Sequence, residues 1–255
     1  MARFFEKGKE KLLNTFIFTL IYMVVVIYVS NLCTTIYLHR CLAHRALQLN
    51  PLVSGFMQIW LWLHTGIYPR EWVAVHRKHH RFSDVEGDPH SPKLEGLAKI
   101  LWANAYLYKK EARNPETIER YTRDLPNTFM EGYVTRRGYT GLAIGLLIAV
   151  GLLGAIIGPL AFILQALIYV FLNGIINGVC HVIGYRNFEN GATNLRWVAW
   201  LTAGEGLHNN HHEFPSSAKL SVRRSEFDPA WPVICLLRFM RLAAVRPVPI
   251  ADSSH

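Results

Sequence analysis

The stretch 139-YTGLAIGLLIAVGLLGAIIGPLAFILQALIYVFLNGIINGVCHVIGY-185 decides the fold. It contains no Asp, Glu, Lys or Arg, while Arg136 and Arg137 precede it and Arg186 follows it. A bilayer core about 30 Å thick takes about 20 apolar residues as a helix. The stretch is long enough for two spans, predicted at about 139–157 and 160–183, with a turn near Gly158 and Pro159. Both ends then return to one side of the membrane. The flanking regions 69–137 and 186–255 are rich in Lys and Arg. Basic loops stay inside, so that side is predicted to be cytoplasmic.

Composition agrees with a membrane protein. Charged residues are 18% of the 255, below the roughly 25% of an ordinary soluble domain. Hydrophobic residues are 51%, and the net charge is +9. The basic residues are scattered between apolar segments, so no nucleic-acid partner is expected; anionic headgroups and acidic acyl carriers fit better. Cys33, Cys41, Cys180 and Cys235 form no C-x-x-C pair and read as buried thiols in a reducing setting.

The N-terminal half is less regular. A run at about 12–38 suffices for one span, an uncleaved first membrane segment behind Arg3, Lys7, Lys9 and Lys11. One span there would put Met1 on the far side, against the sense of those basic residues. Residues 46–69 also lack charge, but Gln48, Asn50, Pro51, Gln58 and His64 interrupt them. Residues 84–137 read as a cytoplasmic segment with helical stretches, broken by Pro89, Pro92, Pro115 and Pro126. Trp60, Trp62, Trp72, Trp197 and Trp200 read as interfacial anchors. The whole chain, 1–255, is predicted to be a single all-α domain.

Eight of the twelve histidines fall in three short clusters, 39-HRCLAH-44, 76-HRKHH-80 and 208-HNNHH-212. His181 ends the charge-free hairpin and stands four residues after Asn177. Residues three and four apart share a helix face, so His76 groups with His79 and His80, and His208 with His211 and His212. His39 and His44 are five apart and diverge by roughly 140° on an α-helix. They can serve one centre only if the helix ends there; otherwise they suit two neighbouring metals. All these residues lie at the cytoplasmic ends of apolar segments. Nine imidazoles are too many for one metal and suit two, with Asn177 placed either to hold a water ligand or to orient one. His64 reads as an interfacial side chain and His255 as part of the tail.

Imidazole suits Zn, Cu, Fe and Ni. No H-E-x-x-H is present, which disfavours a zinc protease. Carboxylate-rich di-iron bundles need paired Glu-x-x-His motifs, whereas here only Glu205-x-x-His208 fits, in a glycine-rich setting. A histidine-rich di-iron site fits best. If 46–69 crossed the bilayer, the first and second clusters would stand about 30 Å apart. The segment is therefore predicted to be re-entrant or interfacial.

The three clusters match the H-x4-H, H-x2-H-H and H-x2-H-H motifs of the membrane fatty acid desaturases, and the chain resembles the acyl-CoA Δ9 (stearoyl-CoA) desaturase group and its bacterial relatives. The stretches 84-DVEGDPHSP-92, 177-NGVCH-181 and 201-LTAGEGLHNNHHEFP-215 support the resemblance, which covers roughly residues 30–215. It implies an integral membrane helical protein with a cytoplasmic helical cap carrying two Fe2+ ions. The implied metal ligands are His39, His44, His76, His79, His80, His181, His208, His211 and His212, with Asn177 acting through water and His90 a non-ligand near the substrate. It implies a long acyl substrate, O2 as co-substrate and the bacterial inner membrane. No H-P-G-G haem motif is visible, so a separate electron donor of ferredoxin, rubredoxin or cytochrome b5 type, with its reductase, is expected. The same motifs leave open hydroxylation, acetylene formation or decarboxylation. A membrane metal-binding or transport protein would need polar ligands within the spans, where 139–176 offers few besides Gln165 and Asn173.

Overall fold

A computed structural model of the chain describes residues 2–128 and 130–247; Met1 and His255 lie outside them. In chain order the elements are α1 (Ala2–Cys33), a π-helical segment (Thr34–Ala43), β1 (Leu47–Leu49), α2 (Pro51–His64), α3 (Pro69–Phe82), α4 (Pro92–Glu95), α5 (Leu97–Ala112), α6 (Pro115–Thr122), a π turn (Met130–Thr135), α7 (Gly138–Leu153), α8 (Ile157–Asn177), a 3-10 turn (Val179–His181), α9 (Arg196–Leu201), α10 (His208–Glu213), α11 (Ala230–Phe239) and β2 (Ala243–Val245). The fold is helical. Among the described residues its sheet is one antiparallel pair, β1 with β2, in register Leu47 to Val245 and Leu49 to Ala243.

Among the described residues, two helical runs are long and apolar enough to cross a bilayer, Glu6–Ala43 and Ile157–His181. The 21 residues of α8 span about 31 Å, the thickness of a hydrocarbon core. The 16 residues of α7 reach only about 24 Å, and the 14 of α2 about 21 Å. The turn of the α7–α8 hairpin falls at residues 154–156, where Gly154 takes φ +87°, earlier than Gly158 and Pro159. Pro159 instead sits in the first turn of α8, where its missing N–H breaks no helical bond. Pro51, Pro69, Pro92 and Pro115 likewise open helices, so these prolines start elements.

The long helices pack closely where glycine permits. α7 lies on both α8 and α2, and a Cβ on Gly145 would run into the Leu63 carbonyl. Small residues at such crossings let backbones approach where apolar burial alone supplies little driving force between spans. α1 and α5 pack on α8, and α3 packs on α6. A core of Ile36, Leu38, Leu47, Leu61 and Ile234 joins the π segment to α2 and α11. The outer faces of α1, α7 and α8 stay apolar and uncovered, as in Phe16, Ile21, Leu147 and Leu167. Of the four cysteines, Cys33 and Cys180 are buried and Cys41 partly so; Cys235 is exposed, because α11 turns it outward.

Candidate metal centre

Nine imidazoles converge at the base of this bundle, in two adjacent groups. His39, His44, His76, His80 and His211 form one, and His79, His181, His208 and His212 the other; within each, one ring nitrogen per residue lies within 4.8 Å of all the rest. The groups interlock through the two H-x-x-H-H motifs. On α3, His76 and His80 go to the first group and His79 to the second. On α10, His208 and His212 go to the second group and His211 to the first. A helix offset of four leaves two side chains about 40° apart, while an offset of three swings about 60° the other way. Each motif thus presents a pair to one group and a single ring to the other, in opposite senses.

His39 and His44 join one group despite their spacing. The reason is the π winding of 34–43: its hydrogen bonds close at five residues, and His44 N donates to His39 O at 3.0 Å. Five residues then return close to the same face. His181 reaches the second group from the 3-10 turn just past α8.

The ring orientations follow one rule. Nε2 atoms point inward, with His44 and His76 at 2.8 Å, His39 and His211 at 2.9 Å, His211 and His80 at 2.9 Å, and His208 and His181 at 3.0 Å. Three Nδ1 atoms point outward to carboxylates: His39 to Glu205 at 2.7 Å, His79 to Asp88 at 3.0 Å and His181 to Asp84 at 2.9 Å. A carboxylate accepts a proton-bearing Nδ1, which leaves the Nε2 lone pair free for a cation. Burial would raise Asp84, but hydrogen bonds from His181, Lys93 and Ser91 hold it well below the usual carboxylate range. Burial opposes Asp88 too, and His79 holds it down; His39 does the same for Glu205. All three are anions facing the imidazoles.

Burial, then the charge of neighbouring rings, holds His44, His76, His80, His208, His211 and His212 well below the ordinary imidazole value. They are neutral at pH 7, the state a metal requires. A group with a folded pKa below its unfolded value of about 6.5 binds more protons when unfolded, so stability falls as pH falls below that value. The metal-free protein is therefore expected to melt at progressively lower temperature between about pH 7 and 5, with little change above about 7.5. A melting temperature flat across that acid window would contradict the assignment of buried neutral rings.

The remaining residues of the third motif anchor it. Asn210 Nδ2 donates to Leu220 O and Glu226, and its Oδ1 accepts from Asn194 and Asn187. Asn209 Oδ1 accepts the amides of Asn187 and Phe188. The 203–206 turn is tight: Gly204 takes φ +110°, and a Cβ there would strike the Asp228 carboxylate. It aims Glu205 at His39 and Thr35. Sequence reading saw Glu205 only as part of a lone Glu-x-x-His motif in a glycine-rich setting, and gave no role to Asp84, Asp88, Asn209 or Asn210. Carboxylates four apart in 84-DVEGD-88, next to a histidine cluster, were the available signal.

A cavity of about 210 Å³ opens beside the centre, lined by His39, His76, His208 and Asn177 among others. Asn177 Nδ2 donates to Asn104 Oδ1 at 3.3 Å, which places Asn177 in the cavity wall beside His208 and outside both ring groups. His90 is buried, stacks on His79 at 4.6 Å and also lines the cavity. Trp72 stacks on His76 at 4.7 Å and forms another wall of the cavity. His64 is likewise buried and lines the cavity. Trp197 and Trp200 are exposed.

Residues 14–235 match the family model described as fatty acid desaturase. Similar curated proteins include the acyl-CoA C20 Delta5-desaturase of Anemone leveillei, 32% identical over 231 residues that cover 85% of this chain and 69% of that protein. The Delta-9 acyl-lipid desaturase 2 of Arabidopsis thaliana is 30% identical over 87% of this chain and 72% of its own length. The sn-1 stearoyl-lipid 9-desaturase of Anabaena variabilis is 29% identical over 89% and 82%. These names differ in acyl carrier and in the position of the double bond.

Proposed function

The chain belongs to the fatty acid desaturase family, and on that premise we propose that it inserts a double bond into a long acyl chain, carried as acyl-CoA or another acyl thioester or lipid, at a histidine-held di-iron centre. The observation that carries this reading is the convergence of nine imidazoles, in groups of five and four, of which His39, His76 and His208 line one cavity. The donor set fits iron: neutral nitrogen ligands and no thiolate among the grouped residues. His39, His44, His76, His80 and His211 would hold one ion. His79, His181, His208 and His212 would hold the other, with Asn177 acting through water. When bound, the irons supply the redox chemistry by which O2 removes two hydrogens from adjacent unactivated methylenes. The balance is one alkyl chain, O2, two electrons and two protons giving one alkene and two waters. The electrons come from a separate ferredoxin, rubredoxin or cytochrome b5 type carrier with its reductase.

The protein's own work is positional. Glu205, Asp88 and Asp84 hold three rings in the tautomer that presents Nε2 inward. Walls from Trp72, Val75 and Ile176 exclude water and hold the chain near the centre; hydrogen abstraction demands such contact. Lys109, exposed in the lining and 3.4 Å from the Glu71 carboxylate, suits an anionic head group that takes Glu71's place. The chain reads as one membrane-embedded domain, with α1 and the α7–α8 hairpin in lipid and α2 dipping in and returning. The Lys and Arg flanks support a bacterial inner membrane with the centre facing the cytoplasm.

Expression in a bacterial host lacking the activity, followed by mass spectrometry of its lipids, tests the reading. New monounsaturated chains two hydrogens lighter than their precursors, with one fixed double-bond position and dependent on O2, are expected. An unchanged profile would overturn it, and chains heavier by one oxygen would replace it with hydroxylation.

A further inference from the structure

Helix α11 buries one face and bares the other. Ala230, Val233, Ile234 and Leu237 pack into the core formed by the π segment and α2. On the opposite face Phe239 is 86% exposed, and Leu236 and Met240 are exposed with it. The end of α11 adjoins the start of α2, because Leu242 O accepts from Asn50 N at 2.8 Å and β2 pairs with β1. There Leu52, Phe56 and Ile59, spaced by four and three, are exposed along one side of α2. Two uncovered apolar faces thus start from one junction. The charge beside them has a single sign. Residues 230–247 contain Arg238, Arg241 and Arg246 and no Asp, Glu or Lys. All three arginines are exposed. The arginine ion pairs among the described residues, at Arg40, Arg45, Arg70, Arg77 and Arg123, involve none of them. The core beneath α11 includes Cys33, Ile36 and Leu38, which lie toward the end of the membrane-length run Glu6–Ala43.

We propose that α11 is an in-plane anchor that seats its Leu236, Phe239 and Met240 face in the boundary of an anionic membrane, with Arg238, Arg241 and Arg246 on the lipid phosphates. The inference rests on the membrane placement given above. An apolar helix face bordered by arginines matches a lipid surface, whose acyl boundary takes the first and whose phosphates take the second. A second copy of the chain would bring the same positive charge against these arginines, and an acidic protein surface would leave the phenylalanine and leucine faces unmatched. Each arginine near an anionic surface strengthens the contact by about 5-fold. Seating α11 also steadies the metal centre, since it packs on the π segment that carries His39 and His44.

Cys235 supplies the probe. It is exposed one turn before Phe239, whereas Cys33 and Cys180 are buried, so a nitroxide attaches there; a C235A control subtracts any label on Cys41. The full chain is placed in nanodiscs of phosphatidylcholine alone or mixed with phosphatidylglycerol. Collisions of the nitroxide with O2, which concentrates in lipid, and with a neutral nickel chelate, which stays in water, report its depth. Nickel access is expected to fall by about 5-fold or more on adding phosphatidylglycerol while O2 access rises. The variant R238Q/R241Q/R246Q, changed only at exposed positions, is expected to lose that difference. Equal nickel access in the two lipids, or a difference that survives in the triple variant, overturns the proposal. Low access to both O2 and nickel would show a protein contact on this face and overturns it too. A chain that fails to enter the nanodiscs would overturn the membrane placement itself, whereas a chain held in them with Cys235 in water overturns the anchor alone.

Discussion

Replacing His208 by alanine is expected to abolish formation of the unsaturated product and to strip iron from the chain. His208 Nε2 lies 3.0 Å from His181 Nε2 and 3.1 Å from His212 Nε2, so it shares their inward focus. It is buried, and it lines the cavity in which the acyl chain would lie. Losing even an outer partner of a metal ligand costs about 10- to 100-fold in affinity or activity. If His208 is a direct ligand in a group of four, as proposed, its loss should exceed that, so activity should fall by more than about 100-fold. Iron should drop below wild type in the same preparation, measured by elemental analysis against protein concentration. Retention of both iron and activity would remove His208 from the centre.

The second large effect lies outside the rings. Arg40, next to His39, is 1% exposed and donates from Nη1 and Nη2 to the two oxygens of Asp228 at 2.8 and 2.9 Å. Asp228 also accepts the amides of Leu220 and Ala230, and Arg40 donates to Ala218 O. This buried pair ties the π segment to residues 218–230, and the tight turn at Gly204 packs against both partners. Asp228→Ala leaves a buried guanidinium without its counter-charge, a loss of about 3–5 kcal/mol. For a chain of this size that is a melting-temperature drop of roughly 6–20 °C. Replacing both partners with apolar residues, R40M with D228L, should recover part of the loss, because no lone charge remains buried. Thermal unfolding followed by intrinsic fluorescence reads both variants. An Asp228→Ala protein that melts with wild type would show the pair to be dispensable.

Much of the fold was legible because the bilayer leaves so few options. A charge-free run bounded by arginines reads as a hairpin, and α7 and α8 form one. Its turn moved because Gly154, and not Gly158, takes the positive φ. The histidines were legible through spacing, since H-x-x-H-H puts three rings on one side of a helix. How the rings divide was not, because that depends on where the facing helix lies. On α-helical spacing His39 and His44 could share one centre only where the helix ends; the π winding that brings them together leaves no local mark in 34-TTIYLHRCLA-43. Asp84 and Glu205 act on rings 97 and 166 residues away, distances that no local pattern encodes, whereas Asp88 lies nine residues from His79. The 203–206 turn reads as flexible from its glycines, yet it is buried and held against the Arg40–Asp228 pair.

Iron content of the wild-type protein, purified anaerobically and joined to X-ray absorption at the iron edge, tests the central claim most directly. The account requires two irons per chain, each in a shell dominated by imidazole nitrogen. One iron or none, a different metal, or a shell dominated by carboxylate oxygen would contradict it.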